Sequence, residues 1–303
     1  MSRIYVFSPS SAVPERSVIH RGVRRLRALG HDVELDEAAF ARRMRFAGDD
    51  ETRLAAIHRA TASGADIALI TRGGYGITRL LPGIAYKAVA KAIDKGLRFV
   101  GHSDFTAFQC AVLATTERTT WSGPALGEDF GGEGEPDDIM LACFDDLASG
   151  QGEGAGWQLP RSEAQDKPFE ASGVLWGGNL AMIVSLVGTP WLPKAKGGIL
   201  YLEDVGEHPY RIERMLTQLL HAGVLKEQKA ILLGQFTNYR LAPHDRGFKL
   251  ATVVEWLRTQ VRAPIFTGLP FGHVPTKLTL PMGAKVQFAA EGRDAIAVWG
   301  HRH

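Results

Sequence analysis

This chain has few cysteines and almost no excess of charge of either sign, and each of these features excludes a class of protein. Two cysteines in 303 residues, Cys110 and Cys143, stand in apolar helix-like stretches and cannot form a disulfide framework, so we expect free buried thiols. The 35 Lys and Arg residues nearly balance 33 Asp and Glu residues, and a net charge of +2 gives no reason to expect a nucleic-acid partner. With 45% apolar and 22% charged residues, the composition is that of an ordinary globular protein.

Long apolar runs and metal-ligand motifs are also missing. The run at residues 4–7 is too short for a signal-peptide core or a membrane span, so we expect a cytoplasmic protein with no membrane partner. No HExxH, CxxC or paired Asp/His pattern is present, and we expect neither a metal nor another cofactor. The acidic, glycine-rich stretch 127–138 lacks the Asp spacing of a calcium loop, which predicts a solvated loop.

Short apolar runs alternate with amphipathic stretches in the first half of the chain. The runs at 4–7, 65–70 and 99–100 predict strands with helices between them. This alternation is typical of a parallel, doubly wound sheet, in which ligands gather beyond the carboxyl ends of the strands. We therefore expect the two segments that directly follow strands, 72–76 and 101–103, to lie side by side.

The second half is richer in strands. Residues 198–202 and 230–233 predict buried strands, and residues 277–290 with 294–300 predict a terminal hairpin. The intervening region 126–170 is polar, with scattered Gly and Pro, and indicates a domain boundary. We predict an α/β protein with two domains: 1–148 with a doubly wound, mainly parallel sheet, a linker at 149–172, and a strand-rich α/β domain at 173–303.

A candidate nucleophile lies where a predicted strand runs directly into a helix, at Gly101-His102-Ser103-Asp104-Phe105-Thr106. A sharp strand-to-helix turn through Gly-X-Ser lifts the serine hydroxyl to the tip of the turn, next to the free N–H groups that begin the helix. Such a serine is exposed for attack, and the N–H groups lie where an oxyanion would form. The alternative is that Ser103 or Asp104 simply caps the helix, since the usual second glycine is replaced by Phe105.

A serine nucleophile needs a base and an acid that orients the base. Among ten histidines, His273 is the best candidate base because it follows a glycine-flanked turn, whereas His102 is expected to point away from Ser103. Glu203 ends an apolar run, and a buried-edge carboxylate usually has a polar partner. The alternative is that Glu203 caps a turn or pairs with a nearby arginine.

The glycine-rich segment Gly73-Gly74-Tyr75-Gly76 lacks the spacing of a nucleotide-binding loop. Three glycines in four residues permit a strained turn with free N–H groups. Such a turn suits an oxyanion hole as well as it suits a phosphate.

The motifs together resemble the LD-carboxypeptidase family of serine peptidases, which act on murein tetrapeptides. The resemblance spans almost the entire chain and is closest to the cytoplasmic muramoyltetrapeptide carboxypeptidases. The segments that carry it are Arg72 to Gly76, Gly101 to Thr106, Leu175-Trp176-Gly177-Gly178-Asn179-Leu180, Leu202-Glu203-Asp204 with Glu207-His208-Pro209, and Phe271-Gly272-His273.

The resemblance implies a site between two α/β domains, with Ser103 as nucleophile, His273 as general base and Glu203 as the acid that orients it. It also implies an oxyanion hole made by the backbone N–H groups of Gly74 and Asp104. The implied reaction is hydrolysis of the L,D bond between meso-diaminopimelate and the terminal D-alanine in peptidoglycan recycling, and a homodimer follows from family precedent.

The implied substrate-binding residues are less well determined. A carboxypeptidase must recognise a free carboxylate, and Arg72 and Lys277 both remain candidates for that role. Tyr75, Trp176 and Asn179 are expected to contact the substrate, although Trp176 could equally pack in the core and Asn179 could cap a helix. Two alternatives stay open: a related immunity peptidase that cleaves peptide–nucleotide antibiotics, and a non-catalytic peptide-binding protein.

Overall fold

The computed structural model describes residues 1–300. Its first half contains strands β1 (Arg3–Phe7), β2 (Asp32–Leu35), β3 (Ile67–Ile70), β4 (Arg98–Gly101) and β5 (Thr120–Ser122). The helices between and after them are α1 (Arg16–Ala28), α2 (Asp50–Ala62), α3 (Tyr86–Asp94), α4 (Thr106–Thr116) and α5 (Asp138–Ser149).

The second half contains more strands than helices, as predicted. Its strands are β6 (Gly154–Gln158), β7 (Gln165–Asn179), β8 (Ile199–Val205), β9 (Ala230–Thr237), β10 (Ile265–Thr267), β11 (Leu280–Met282), β12 (Lys285–Gly292) and β13 (Asp294–Val298). Its helices are α6 (Leu180–Ser185), α7 (Pro209–His221) and α8 (Leu250–Gln260).

The N-terminal sheet has the strand order β11-β5-β4-β3-β1-β2. Strands β1 to β5 pair in parallel, which confirms the predicted parallel sheet, and only the edge strand β11 runs antiparallel. Because β3 and β4 are neighbours, the segments that follow them leave the sheet side by side, as expected for residues 72–76 and 101–103.

The C-terminal sheet is mixed, with the order β10-β9-β8-β7-β12-β13-β6. The long strand β7 joins its two parts: residues 175–179 pair in parallel with β8, whereas residues 165–174 pair antiparallel with β12. The carboxyl end of β7 therefore lies beside the carboxyl end of β8, where Glu203 stands opposite Asn179.

Residues 149–172 are not a linker, and the predicted separation of two domains in sequence is wrong at this point. The segment contains β6 and the first half of β7, which belong to the C-terminal sheet, and Trp157 is buried there. The predicted terminal hairpin forms between β12 and β13, but β11 crosses to the N-terminal sheet and pairs with β5. The two lobes are therefore interlocked along the chain.

The lobes meet closely where β7 ends against the first turn of α4. A Cβ added at Gly178, whose φ is +124°, would lie 2.5 Å from the Thr106 Oγ1 atom, so only glycine permits this approach. Thr106 Oγ1 in turn accepts a hydrogen bond from the Asn179 N–H at 3.1 Å. A second polar contact across the lobes joins the hydroxyls of Ser122 and Tyr201 at 2.6 Å. The contacts of Gly178 and Asn179 with Thr106 fix the end of β7 beside the turn that carries Ser103.

Cys110 is buried and Cys143 is half-buried, and both are free thiols. The prediction of unpaired cysteines is therefore confirmed.

Candidate active site

Ser103 occupies a sharp turn between β4 and α4. Its φ of +63° lies in the left-handed region that non-glycine residues rarely adopt, and residues 103–105 form one 3-10 turn before the helix begins. The backbone of Gly73 is in close contact, since a Cβ there would lie 2.7 Å from the Ser103 Oγ atom. The predicted strand-to-helix turn is thus present, and its serine faces the glycine segment that follows β3.

His273 and Glu203 form a hydrogen-bonded pair. The His273 Nδ1 atom lies 2.8 Å from the Glu203 Oε2 atom, and Glu203 is fully buried at the carboxyl end of β8. Gly272, with a φ of +139°, carries His273 over this carboxylate, because a Cβ at Gly272 would come within 3.2 Å of the same oxygen. The two residues selected from sequence as base and acid are therefore in contact.

His273 also lies next to the turn that carries the serine. Its ring packs edge-on against the ring of His102 with the centroids 5.2 Å apart. With Nδ1 directed at Glu203, the Nε2 atom is the nitrogen left to act on a substrate or a nucleophile. The Ser103 hydroxyl makes no hydrogen bond within residues 1–300.

Asn179 supports the acid of this pair. Its Nδ2 group donates to Glu203 Oε1 at 3.2 Å and to Asp204 Oδ1 at 3.0 Å, while its Oδ1 atom caps α6 by accepting from the Met182 N–H. The amide is buried and occupied by these contacts, which argues against the predicted role of Asn179 in substrate binding. The sequence indicates that Asn179 can cap a helix, but nothing in the sequence indicates its contact with Glu203.

Trp176 does not line a substrate cleft either. Its side chain is 1% exposed, and the indole N–H donates to the Gln228 Oε1 atom at 2.9 Å within the core. The predicted contact of Trp176 with substrate is therefore not supported, and core packing, the alternative interpretation, describes its position. Tyr75, by contrast, is 39% exposed and its ring lies 6.0 Å from that of Phe46.

His273 and Asp204, the two titratable neighbours of Glu203, have shifted pKa values. Burial alone would lower the pKa of His273, but the hydrogen bond and the negative charge of Glu203 outweigh it, so the pKa is raised above the ordinary value of 6.5. Burial, reinforced by the charge of neighbouring Glu203, raises the pKa of Asp204 to about 6. A buried carboxylate thus favours the imidazolium that forms when His273 takes a proton.

These shifts predict the pH dependence of a reaction in which His273 acts as base. Because the base must be neutral, kcat/KM should fall as the pH drops through its raised pKa, with a midpoint above about 6.5. Glu203→Gln removes the charge that raises this pKa, so the acid limb should move to lower pH while kcat falls by about 10³- to 10⁴-fold. A pH–rate profile of both proteins measures this, with Glu227→Gln, an exposed carboxylate paired with Lys196, as control. An unchanged acid limb in Glu203→Gln would contradict the assignment.

The glycine segment after β3, which contacts Ser103 through Gly73, carries backbone N–H groups near the serine. Neither the Gly74 N–H nor the Asp104 N–H makes a hydrogen bond within the part of the chain that the structure describes, residues 1–300. Gly74 has a φ of +104° and packs on Ser11, whose Oγ atom would lie 2.2 Å from an added Cβ. The adjacent Tyr75 N–H donates to that hydroxyl at 3.1 Å. Two N–H groups without a partner on neighbouring turns are the donors that an oxyanion hole needs.

Lys277 is held in a buried charge cluster. Its side chain is 2% exposed, with the Nζ atom 2.7 Å from Asp129 Oδ1 and 3.5 Å from His102 Nε2. Glu128 lies 3.2 Å from the same His102 nitrogen, and although burial opposes it, this contact lowers the pKa of Glu128 to about 2. His102 Nδ1 is bound to the Gly123 carbonyl at 2.9 Å, so both ring nitrogens of His102 have partners other than Ser103.

The acidic stretch 127–138 is only partly the solvated loop that its composition predicts. Residues 126–130 form one turn of π-helix in which Leu126 and Phe130 are buried, and Asp129 is occupied by Lys277. The sequence signal for this buried turn was the pair of apolar residues, Leu126 and Phe130, on either side of Glu128 and Asp129.

Within residues 1–300, no group of three His, Cys, Asp or Glu side chains is placed to hold a metal ion. In the same residues, no helix combines the length and apolar character needed to cross a membrane.

Comparison with known proteins identifies the family. Residues 4–123 match the LD-carboxypeptidase N-terminal domain, and residues 172–288 match the LD-carboxypeptidase C-terminal domain. The chain belongs to the LD-carboxypeptidase family. The resemblance inferred from the motifs is thereby confirmed, as is the α/β fold with two sheets.

The relatives cover nearly the whole chain. The crystal structure of muramoyltetrapeptide carboxypeptidase from Oxalobacter formigenes is 36% identical and matches with a TM-score of 0.89 over 98% of each chain. The probable murein peptide carboxypeptidase of Bacillus subtilis is 29% identical over 96% of this chain and 90% of its own length. The murein tetrapeptide carboxypeptidase of Pseudomonas aeruginosa is 30% identical over 93% of this chain and 91% of its own length. A more distant relative, the microcin C7 self-immunity protein of Escherichia coli, is 27% identical over 74% of this chain and 71% of its own length.

Proposed function

We propose that this LD-carboxypeptidase family member is a serine carboxypeptidase that removes the terminal D-alanine from murein tetrapeptides. The observation that carries the proposal is the buried Glu203–His273 hydrogen bond of 2.8 Å, which lies beside a serine held in the left-handed backbone region. A base oriented by an acid, next to a serine on a strained turn, is the arrangement of nucleophilic acyl transfer.

In this mechanism the Ser103 hydroxyl attacks the carbonyl carbon at the L-centre of the diamino acid. His273 Nε2 takes the hydroxyl proton, and the N–H groups of Gly74 and Asp104 stabilise the negative charge that develops on the carbonyl oxygen. The C–N bond then breaks, and His273 returns the proton to the nitrogen of the departing D-alanine. Water, deprotonated by His273, hydrolyses the remaining ester and releases the tripeptide and the free serine.

The buried carboxylate of Glu203 orients the base, His273. Glu203 holds His273 through Nδ1 and stabilises the imidazolium, while Asn179 donates to the other oxygen of Glu203. Each Glu203 oxygen thus has a partner, which limits rotation of the carboxylate.

Arg72 is the better candidate for binding the terminal carboxylate of the substrate. Lys277, the other candidate from sequence, is buried and paired with Asp129 at 2.7 Å. Arg72 is half-buried on the glycine segment next to the serine and makes one long contact, with the Ala12 carbonyl at 3.4 Å. A guanidinium can bind a carboxylate through two parallel hydrogen bonds.

Incubation with a murein tetrapeptide tests the proposal directly. We expect mass spectrometry to detect the tripeptide and free D-alanine in equal amounts. The same peptide with a C-terminal carboxamide should react at least about 10²-fold more slowly, because the amide loses the charge-assisted contact with Arg72. If the carboxamide reacts equally well, Arg72 does not bind the C-terminal carboxylate of the substrate.

An aminoacyl-nucleotide analogue distinguishes the immunity-peptidase alternative. Such an activity needs an exposed aromatic side chain to clamp the nucleobase, and the two candidates, Trp176 and Trp121, are 1% and 7% exposed, which disfavours it. Cleavage of the nucleotide analogue but not of the tetrapeptide would overturn the proposal in favour of the alternative. Binding of the tetrapeptide without any product would indicate a peptide-binding protein. The homodimer stays a prediction.

A further inference from the structure

A buried carboxylate that the proposed mechanism does not use belongs to Asp104, the residue that follows the nucleophile in sequence. Asp104 is 1% exposed, and its Oδ2 atom accepts hydrogen bonds from the Ser10 hydroxyl at 2.5 Å and from the Ile77 N–H at 3.0 Å. Its Oδ1 atom has no partner among residues 1–300. The residue that follows Ser103 in sequence therefore reaches, through its side chain, a different loop.

The partners of Asp104 belong to the two segments that carry and support the glycine segment 73–76. Ile77 is the first residue beyond that segment, so the bond to its N–H holds the segment at its far end. At the near end, Ser11 donates its N–H to the Gly73 carbonyl at 3.4 Å and accepts from the Tyr75 N–H. Ser10 joins the Ser11 anchor to the carboxylate. Gly74 lies between the two points of attachment.

A carboxylate is an energetically unfavourable side chain for a position this deeply buried. Burial raises the pKa of Asp104, while hydrogen bonds from Ser10 and from the backbone at residues 76–77, together with the charge of buried Arg53, oppose the shift. Burying a charged group is strongly unfavourable unless partners compensate, and an apolar side chain could fill the same space without that penalty. A carboxylate here needs a reason beyond packing.

The geometry points to a positioning role: we propose that the Asp104 side chain sets the spacing between the two N–H donors of the oxyanion hole. The Asp104 N–H is one donor, and the Asp104 carboxylate holds the loop that carries the other, the Gly74 N–H. One residue thereby ties both halves of the hole together. This inference rests on the proposed function, since it concerns the oxyanion of that reaction.

The role predicts an effect on kcat rather than on KM. The donors act on charge that appears only in the transition state, so a misplaced donor slows the chemical step while the substrate still binds. A displacement of about 1 Å in such a site can lower the rate about 10²-fold.

Asp104→Ala tests the inference, with Asp104→Asn as the conservative variant. For Asp104→Ala we expect kcat to fall about 10²-fold with KM within about 3-fold of wild type. The affinity for a peptidyl boronic acid, whose boron replaces the scissile carbonyl carbon, should fall by the same factor. Asp104→Asn keeps one oxygen acceptor and should recover kcat to within about 10-fold of wild type.

Asp36→Ala is the matched control. Asp36 is also a buried carboxylate at the end of a strand of the N-terminal sheet, bound to Tyr5 and Arg59 rather than to the glycine segment. Its loss should lower the melting temperature and leave kcat and boronate affinity unchanged. If both Ala variants lose kcat equally, or if Asp104→Ala loses kcat without losing boronate affinity, the inference is wrong.

Ser10→Ala provides the answer if Asp104→Ala fails to fold. It removes a single hydrogen bond from the same carboxylate, and kcat and boronate affinity should both fall about 5-fold. Unchanged values would overturn the inference. The wild-type enzyme is measured alongside every variant. If the wild type releases no D-alanine, the proposed function is contradicted, whereas the inference is tested by the differences between wild type and variants.

Discussion

Ser103→Ala is expected to lower the rate of D-alanine release by about 10⁵- to 10⁶-fold, since removal of the nucleophile leaves only substrate binding and the oxyanion hole. The fold should be retained, because alanine fits the space of serine and the Ser103 hydroxyl makes no hydrogen bond within residues 1–300. The measurement is the rate of D-alanine release, with circular dichroism and the melting temperature as tests of folding. The variant should still bind the tetrapeptide, which calorimetry can detect.

Ser122→Ala is the control for this prediction. Ser122 is a buried serine that contacts Tyr201 OH at 2.6 Å and Gln109 Oε1 at 3.1 Å, at a site the mechanism does not use. Its replacement should cost about 1 kcal/mol of stability and leave kcat unchanged. Release of D-alanine by Ser103→Ala at more than about 1% of the wild-type rate would remove the serine mechanism from consideration.

The N-terminal sheet could be predicted from sequence because its signals are local. Each of the runs at 4–7, 65–70 and 99–100 is short, apolar and followed by a turn, and strand connections in such sheets obey strong rules. The structure pairs β3 with β4, and from this pairing alone the glycine segment and the serine turn become neighbours. The adjacency of these two loops of the candidate site could therefore be predicted from the sequence.

The path of the chain through 149–172 could not be predicted in the same way. Its polar and glycine-rich composition is that of a connecting segment, yet it supplies β6 and half of β7. Edge strands with one face open to solvent need few apolar residues, and Trp157 is the one buried side chain of β6. Whether such a segment forms a strand depends on partners such as β13, which lies more than a hundred residues away.

Individual side chains of the site show the same limit. Trp176 and Asn179 belong to one motif, and both were expected to contact substrate, but in a strand alternate residues point to opposite faces. The structure directs Trp176 to Gln228 in the core and Asn179 to Glu203. A sequence motif identifies the residues that form the site, but it does not show which residue each side chain contacts. Lys277 became the weaker candidate for binding the substrate carboxylate only when its pairing with Asp129 was known.

Gly73→Ala should impair catalysis nearly as severely as loss of an oxyanion donor, although it changes no functional group. A Cβ at Gly73 would lie 2.5 Å from the Ser103 Cβ atom and 2.7 Å from its Oγ atom, which is well inside ordinary van der Waals contact. Relief of this overlap requires the serine turn and the glycine segment to separate by about 1 Å, a displacement that can lower the rate about 10²-fold. The two surfaces that separate carry the nucleophile and one oxyanion donor, so kcat should fall while KM changes little.

The backbone of Gly73 does not need glycine for its conformation, which makes this substitution a test of packing alone. Gly156→Ala is the matched control, because Gly156 also lacks a positive φ and its added Cβ would make only an ordinary 3.6 Å contact with the Ala295 carbonyl. We expect Gly156→Ala to match wild type in kcat, and Gly73→Ala to retain a cooperative unfolding transition. If Gly73→Ala keeps full activity, the serine and the glycine segment are not held in register by this contact, and the oxyanion hole must be assembled differently.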